Sequence, residues 1–368
     1  MQWIDMHCDT LSEIWKGHAD SFRRNDLCVD LERLIKTGAE AQFFACFVNA
    51  SDYLEESFGS LDGKNGSASS GNKTNPGFDS GIWDRAYSAV LEMTKLARSE
   101  EGERFQIVRD LRTFGDAGMQ GPAAFPGENR EGVAGILTLE EGGVLNNRPE
   151  RLSRLFENGI RLITLTWNYE NCIGSPNSRD TNVMKQGLKP FGIEVVERMN
   201  ELGMIIDVSH LSDGGFWDCI RYSRSPVVAS HSNARSLCPH PRNLSDEMLH
   251  ALGEKGGVAG VNFYSAFLKS SSGRGETLRA EMEDLIRHIR WMIDQAGEDG
   301  VALGSDFDGF ETEALPEKIS GVQDLDCLWD AMRDSGITPR QIDKIASGNV
   351  QSVMREVGRE KETFLLRR

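Results

Sequence analysis

A chain of 368 residues, 39% hydrophobic and 27% charged, has the composition of a soluble globular protein and is long enough for one large α/β barrel. Asp and Glu outnumber Lys and Arg by 57 to 41; the formal charge of −16 repels phosphate backbones and anionic bilayers and argues against nucleic acid or membrane partners. No apolar run approaches the ~20 residues of a spanning helix, the opening MQWIDMHCDT lacks a basic and apolar leader, and the seven cysteines show no C-x-x-C pairing, so reduced thiols and a cytoplasmic location are expected.

Along the chain, WIDMH (3–7) and AQFFACFV (41–48) are the first short apolar runs. Residues 51–81 are rich in Gly, Ser and Asn and are expected to form a loop over the mouth of a barrel, as a lid, a rim or a plain insertion. Helical spacing then covers 82–100, followed by VAGILTLE (133–140), a helix over 149–159, RLITLTW (161–167) and a helix over 191–203. MIIDVSH (204–210), PVVASHS (226–232) and GVAGVNF (257–263) come next, then a helix over 277–297, VALGSDF (301–307) and a terminal helix over 338–362 that starts at Thr-Pro. The eight runs are apolar on both faces, as buried parallel strands are, and most are separated by helical segments. This predicts an α/β fold, a (β/α)8 barrel of the TIM type, with residues 1–368 as one catalytic domain.

In such a barrel the chemistry sits at the C-terminal ends of the strands. Here those ends carry His7 and Asp9 (first strand), Glu140 (third), His210 (fifth), His231 (sixth) and Asp306 (eighth). One histidine at a strand end is usually a core or loop residue. Three of the chain's seven histidines at such ends, together with three carboxylates, are a constellation instead. His7 and Asp9 are two apart and share a strand face, with Cys8 between them pointing away. Imidazole and carboxylate are the ligands zinc accepts when a position must stay open for water. Glu140 is placed to bridge two ions through its two oxygens, and His210 and His231 complete the second, giving two zinc ions per chain.

These residues resemble the membrane (renal) dipeptidase family of zinc peptidases, within the amidohydrolase superfamily. The resemblance runs through DMHCDT (5–10), LTLEEGG (137–143), LITLTWN (162–168), IDVSHLSD (206–213), VVASHSNAR (227–235), PRN (241–243), VNFY (261–264), GSDFDG (304–309) and GNV (348–350), in order and spacing. It implies that a metal-bridging hydroxide hydrolyses the peptide bond of free dipeptides. It further implies that Arg242 binds the substrate carboxylate, that Asp306 is the catalytic proton carrier, and that the protein is a homodimer. Asp308, on the same strand face as Asp306, is its backup, with orienting the loop as its main expected role. Tyr264, after the seventh strand, is a pocket candidate.

Two departures from the family pattern stand out. The chain has Glu140 and Glu141 where one Glu precedes the glycines, and ungapped spacing to LTLT selects Glu140 as the bridge. Trp167 stands where renal-type members have a substrate-contacting His; an indole donates one hydrogen bond but takes up no proton. Other amidohydrolase chemistry, such as a lactonase or deacetylase, keeps the same ligands. A metal-free binding protein on the same fold would lack a use for them.

Overall fold

The computed structural model describes residues 1–53, 80–113, 132–270 and 278–366. Nine parallel strands occur there: β1 (Trp3–Cys8), β2 (Ala39–Phe47), β3 (Phe105–Ile107), β4 (Val133–Glu140), β5 (Ile160–Thr164), β6 (Ile205–Asp207), β7 (Val227–Ala229), β8 (Val258–Val261) and β9 (Val301–Leu303). The order β2-β1-β9-β8-β7-β6-β5-β4, closed by pairing of β2 with β4, makes an eight-stranded barrel, the expected (β/α)8 architecture. The ninth strand, β3, was not anticipated. It pairs with the first half of β4 (Phe105 with Val133, Ile107 with Gly135), on the side that β5 takes over from Leu137 onward. Three residues carry too little periodicity to be read as a strand.

Strand alternation builds two cores. Val133, Leu137 and Leu139 of β4 face the surrounding helices, while Ala134 and Ile136 face the barrel interior. The interior layer also takes Ile4, Met6, Phe43, Leu162, Val258 and Ala302, and Val350, Val353, Met354 and Val357 of the helix Asn349–Leu366 pack into it. A Cβ on Gly260 or Gly304 would lie 2.0 or 1.8 Å from the carbonyl oxygen of Ser230, so β7, β8 and β9 approach this closely only with glycine at both positions.

The helices Ser80–Ser99, Pro149–Glu157, Pro190–Leu202 and Met282–Ala296 fall where the periodicity places them. The terminal helix differs. It is broken into Pro339–Asp343, a π turn over Lys344–Gly348 and Asn349–Leu366. At the end of that turn Asn349 Nδ2 donates to the carbonyls of Glu298 and Val301, both at 2.8 Å, and pins the helix to the start of β9. Of the segment 51–81, Ala50–Tyr53 form a 3-10 turn and Ser80 begins a helix; residues 54–79 lie outside the described residues, and with them the lid or rim expected there.

Candidate metal centre and substrate pocket

The carboxylate of Glu140 reaches the barrel mouth by plain alternation, on the face of Ala134 and Ile136. His7 needs more, because Ile4 and Met6 already point inward. A bulge solves this: four residues of β1, Asp5 to Cys8, oppose three of β2, Gln42 to Phe44, and re-aim His7 into the mouth. Cys8 turns outward as expected, its thiol donating to the Phe43 carbonyl at 3.4 Å. The sequence places His210 and Asp306 at strand ends, but the strands stop at Asp207 and Leu303. Both lie three residues further on, at φ of 65° and 63°, a left-handed backbone that turns the chain across the barrel top.

The side chains converge. His7 Nε2 lies 3.3 Å from Glu140, 3.4 Å from Asp9 and 3.8 Å from Asp306. The other Glu140 oxygen lies 3.2 Å from His210 Nε2 and 3.8 Å from His231 Nε2, and these two nitrogens are 3.0 Å apart. Three sets of ligand atoms lie within 4.8 Å of one another: His7 with Asp9 and Glu140, Glu140 with His210 and His231, and His7 with His231 and Asp306. Both ring nitrogens of His7, Asp9 Oδ1 and His210 Nδ1 are buried without a hydrogen-bond partner among the described residues. Imidazole lone pairs and carboxylate oxygens crowded in a buried space suit a divalent cation better than one another.

The electrostatics follow from the same crowding. Burial pulls the His7 imidazole down, but Glu140 and Asp9 outweigh it and hold its pKa well above the usual value. Burial raises Glu140, yet His7 and His210 keep it far below the carboxylate range. Burial, with Asp9 and Glu140 adding repulsion against the pull of His7, lifts Asp306 to about 7. Burial and Arg242 press His210 down to about 4.

Supporting contacts are as ordered as the site. Asp207 accepts from the Ser209 and Ser230 amides (3.0 and 2.8 Å) and the Thr164 and Ser230 hydroxyls (both 2.6 Å). Ser230 Oγ also lies 2.7 Å from His231 Nδ1. Asp5 and Ser305 repeat the same clasp between β1 and β9, with an amide at 2.8 Å and a hydroxyl at 2.6 Å. Asn262 Nδ2 donates to Asp306 at 2.8 Å, while its Oδ1 accepts from the Tyr264 amide at 2.6 Å. Asp308 is not free: it accepts from the Thr10 hydroxyl (2.5 Å) and the Cys28 amide (2.7 Å), tying the first loop to the last. Asp207 and Asn262 were not anticipated, although a polar residue at an inward strand position would have been signal enough.

A cavity of about 510 Å³ opens over Asp9, Glu140, His210 and Asp306. Arg242, 5% exposed, stands in its wall and donates to Ser232 Oγ (3.2 Å) and the His231 carbonyl (3.1 Å), while its Nε is buried with no partner among the described residues. Trp167 lines the cavity edge-on to Phe47, ring centroids 4.9 Å apart, and 6.3 Å from the His210 ring. Tyr264 also lines it, packed on Phe310 at 4.6 Å and Phe267 at 4.9 Å. Every residue expected at the site from the sequence is thus brought to this one cavity or its floor. The aromatic wall of Phe47, Phe267 and Phe310 was not foreseen, since its members come together only through the fold.

The chain matches the model of the membrane dipeptidase family, peptidase family M19, over residues 1–367. It is 38% identical over 231 residues to an uncharacterised protein from the pqqA 5′ region of Klebsiella pneumoniae, covering 61% of this chain and 82% of that one. It is 35% identical over 252 residues to an uncharacterised dipeptidase of Schizosaccharomyces pombe, covering 67% of this chain and 58% of that one. In three dimensions it is similar to a metallo peptidase from Rhodobacter sphaeroides solved with a phosphinate mimic of the dipeptide L-Ala-D-Ala, with a TM-score of 0.77 and 25% identity over 97% of this chain and 99% of that one. This chain belongs to the membrane dipeptidase family, peptidase family M19.

Proposed function

We propose that this metallo-dipeptidase works with two zinc ions, one held by His7 and Asp9, the other by His210 and His231, with Glu140 shared between them. The observation that carries the reading is the convergence of these five side chains on the floor of a cavity whose wall offers Arg242. A zinc pair supplies a Lewis acid for the peptide carbonyl and lowers the pKa of water toward neutrality. Arg242 binds the free carboxylate of the dipeptide, since a guanidinium fork donates two parallel hydrogen bonds to it. That preference separates a dipeptidase from a lactonase or deacetylase with the same ligands. Asp306, held through Oδ2 by Asn262, accepts the proton of the attacking water and passes it to the leaving amine. Trp167 and Tyr264 form the apolar sides of the substrate pocket.

All seven cysteines are unpaired, and no helix among the described residues is long and apolar enough to cross a membrane. Both facts support the cytoplasmic reading, and the homodimer belongs to the same proposal.

Purified protein should carry close to two zinc ions per chain, measured by elemental analysis, and lose activity to chelators. Arg242→Ala should lower kcat/KM on free dipeptides by roughly 10- to 150-fold, the worth of a charged hydrogen bond, and act far less on C-terminal amides. Absence of bound transition metal after reconstitution, or equal losses on acids and amides, would overturn the corresponding assignment.

A further inference from the structure

Glu141 sits next to the proposed bridging carboxylate and yet takes no part in it. Its backbone lies at φ 101° and ψ 79°, a conformation that favours glycine, and its side chain is fully buried with no ion pair among the described residues. A strained backbone and a buried carboxylate are retained only where the surroundings make use of them. Here the use is visible. Oε1 accepts from the Gly143 amide at 2.8 Å and Asn171 Nδ2 at 2.7 Å, and Oε2 accepts from the Trp167 amide at 3.3 Å. Asn171 in turn donates to the Leu165 carbonyl at 2.9 Å and accepts from the amides of Ile173 and Gly174 at 2.7 and 3.2 Å. One carboxylate thereby joins the end of β4 to both limbs of the 165–174 loop. That loop carries Trp167 into the cavity beside His210.

We infer that Glu141 is a positioning residue for substrate selection: it braces the 165–174 loop so that Trp167 stands as a fixed wall limiting the side chains admitted beside His210. The inference rests on the dipeptidase reading for its substrate and on the hydrogen-bond geometry for its brace. Substitution Glu141→Gln keeps the shape but can turn an N–H toward the Trp167 amide, where an acceptor is needed. Glu141→Gly removes the brace and relieves the backbone.

The test compares wild type, both Glu141 variants, Trp167→Ala and the double variant Glu141→Gln/Trp167→Ala. Three quantities are read: zinc content, hydrogen exchange of amides 165–174, and kcat/KM on dipeptides of increasing side-chain size. Zinc content should stay at the wild-type value. Exchange across 165–174 should rise about tenfold or more in both Glu141 variants, because a local opening has lost its brace. The preference for small over large side chains should fall by about tenfold through KM, and the same substitution in the Trp167→Ala background should change it less than about twofold. Loss of zinc in Glu141→Gln, a uniform fall in kcat without a change in selectivity, or an undiminished effect without Trp167 would each overturn the inference. Should Glu141→Gly fail to fold, the isosteric Gln variant decides. A wild type that cleaves no dipeptide would defeat the dipeptidase reading instead, and the exchange data would still decide whether Glu141 braces the loop.

Discussion

Ser230 has one hydroxyl proton and three polar neighbours, Asp207 at 2.6 Å, His231 Nδ1 at 2.7 Å and Ser209 Oγ at 3.3 Å. A carboxylate oxygen can only accept, so the hydroxyl proton goes to Asp207 and His231 must donate from Nδ1. Its Nε2 lone pair is then left facing Glu140 and His210, the tautomer a metal ligand requires. Ser230→Ala removes the relay while leaving every proposed ligand in place. Zinc affinity, measured by competition with a chromogenic chelator, should fall about 10- to 100-fold, with kcat much less affected at saturating zinc. Unchanged affinity would mean that Ser230 is only packing. At this scale the sequence was informative about side chains that project by simple alternation. Glu140 could be told from Glu141 by its place on β4, and the two prove to have different surroundings, one among imidazoles and the other among amides. His7 reaches the site only through a bulge, and His210 and Asp306 through left-handed residues. Their identities were legible from chemistry, but their route to the site was not.

Elements hold the site through the loops between them, and His288 shows how. From the middle of the helix Met282–Ala296 its Nδ1 accepts from the Ala234 amide at 3.2 Å, and its Nε2 donates to the Leu268 carbonyl at 3.1 Å. It thus ties one helix to the loop after His231 and to the short helix after Tyr264. Only the neutral ring in one tautomer can make both bonds, and burial holds the pKa down to about 4. In the unfolded chain it titrates near 6.5, so acidification protonates the unfolded state first. The contribution is complete above about 6.5 and is lost as pH falls toward 4, amounting to about 2 kcal/mol between pH 7 and pH 5. Urea unfolding of chelated protein at those two pH values should show a loss larger by that amount in wild type than in His288→Gln. Parallel losses would assign the acid sensitivity elsewhere. Helix positions were legible here because three or more turns carry an apolar stripe. Strand ends were not, because the apolar runs continue past the strands into residues such as Val208 and Phe307, which are buried and still bonded to the neighbouring strand's chain.

Closure of the whole barrel was legible from eight two-faced apolar runs separated by helices, since parallel strands with no polar face need cover on both sides. The same closure gathers Asp9, Glu140 and Asp306 from separate parts of the chain into one buried space, where their mutual repulsion opposes folding. Divalent cations binding there act on the folded state alone, because the five proposed ligands come together only when the barrel is closed. At free zinc 1,000-fold above its dissociation constant, each ion should stabilise the fold by about 4 kcal/mol. Folding entropy scaled to a chain of this length makes that about 5 °C in Tm per ion. Calorimetry of chelated and zinc-loaded protein measures the shift directly, and Glu140→Gln supplies the control. Losing the shared carboxylate should remove most of the zinc-dependent gain, while the chelated variant melts below chelated wild type because His7 and His210 favour the ionised Glu140 in the fold and lose it as a partner. A Tm indifferent to zinc, or a gain that survives in Glu140→Gln, would separate the carboxylate cluster from metal binding. A gain of the expected size that disappears with Glu140 would tie the energy of barrel closure to the ions that the cluster is proposed to hold.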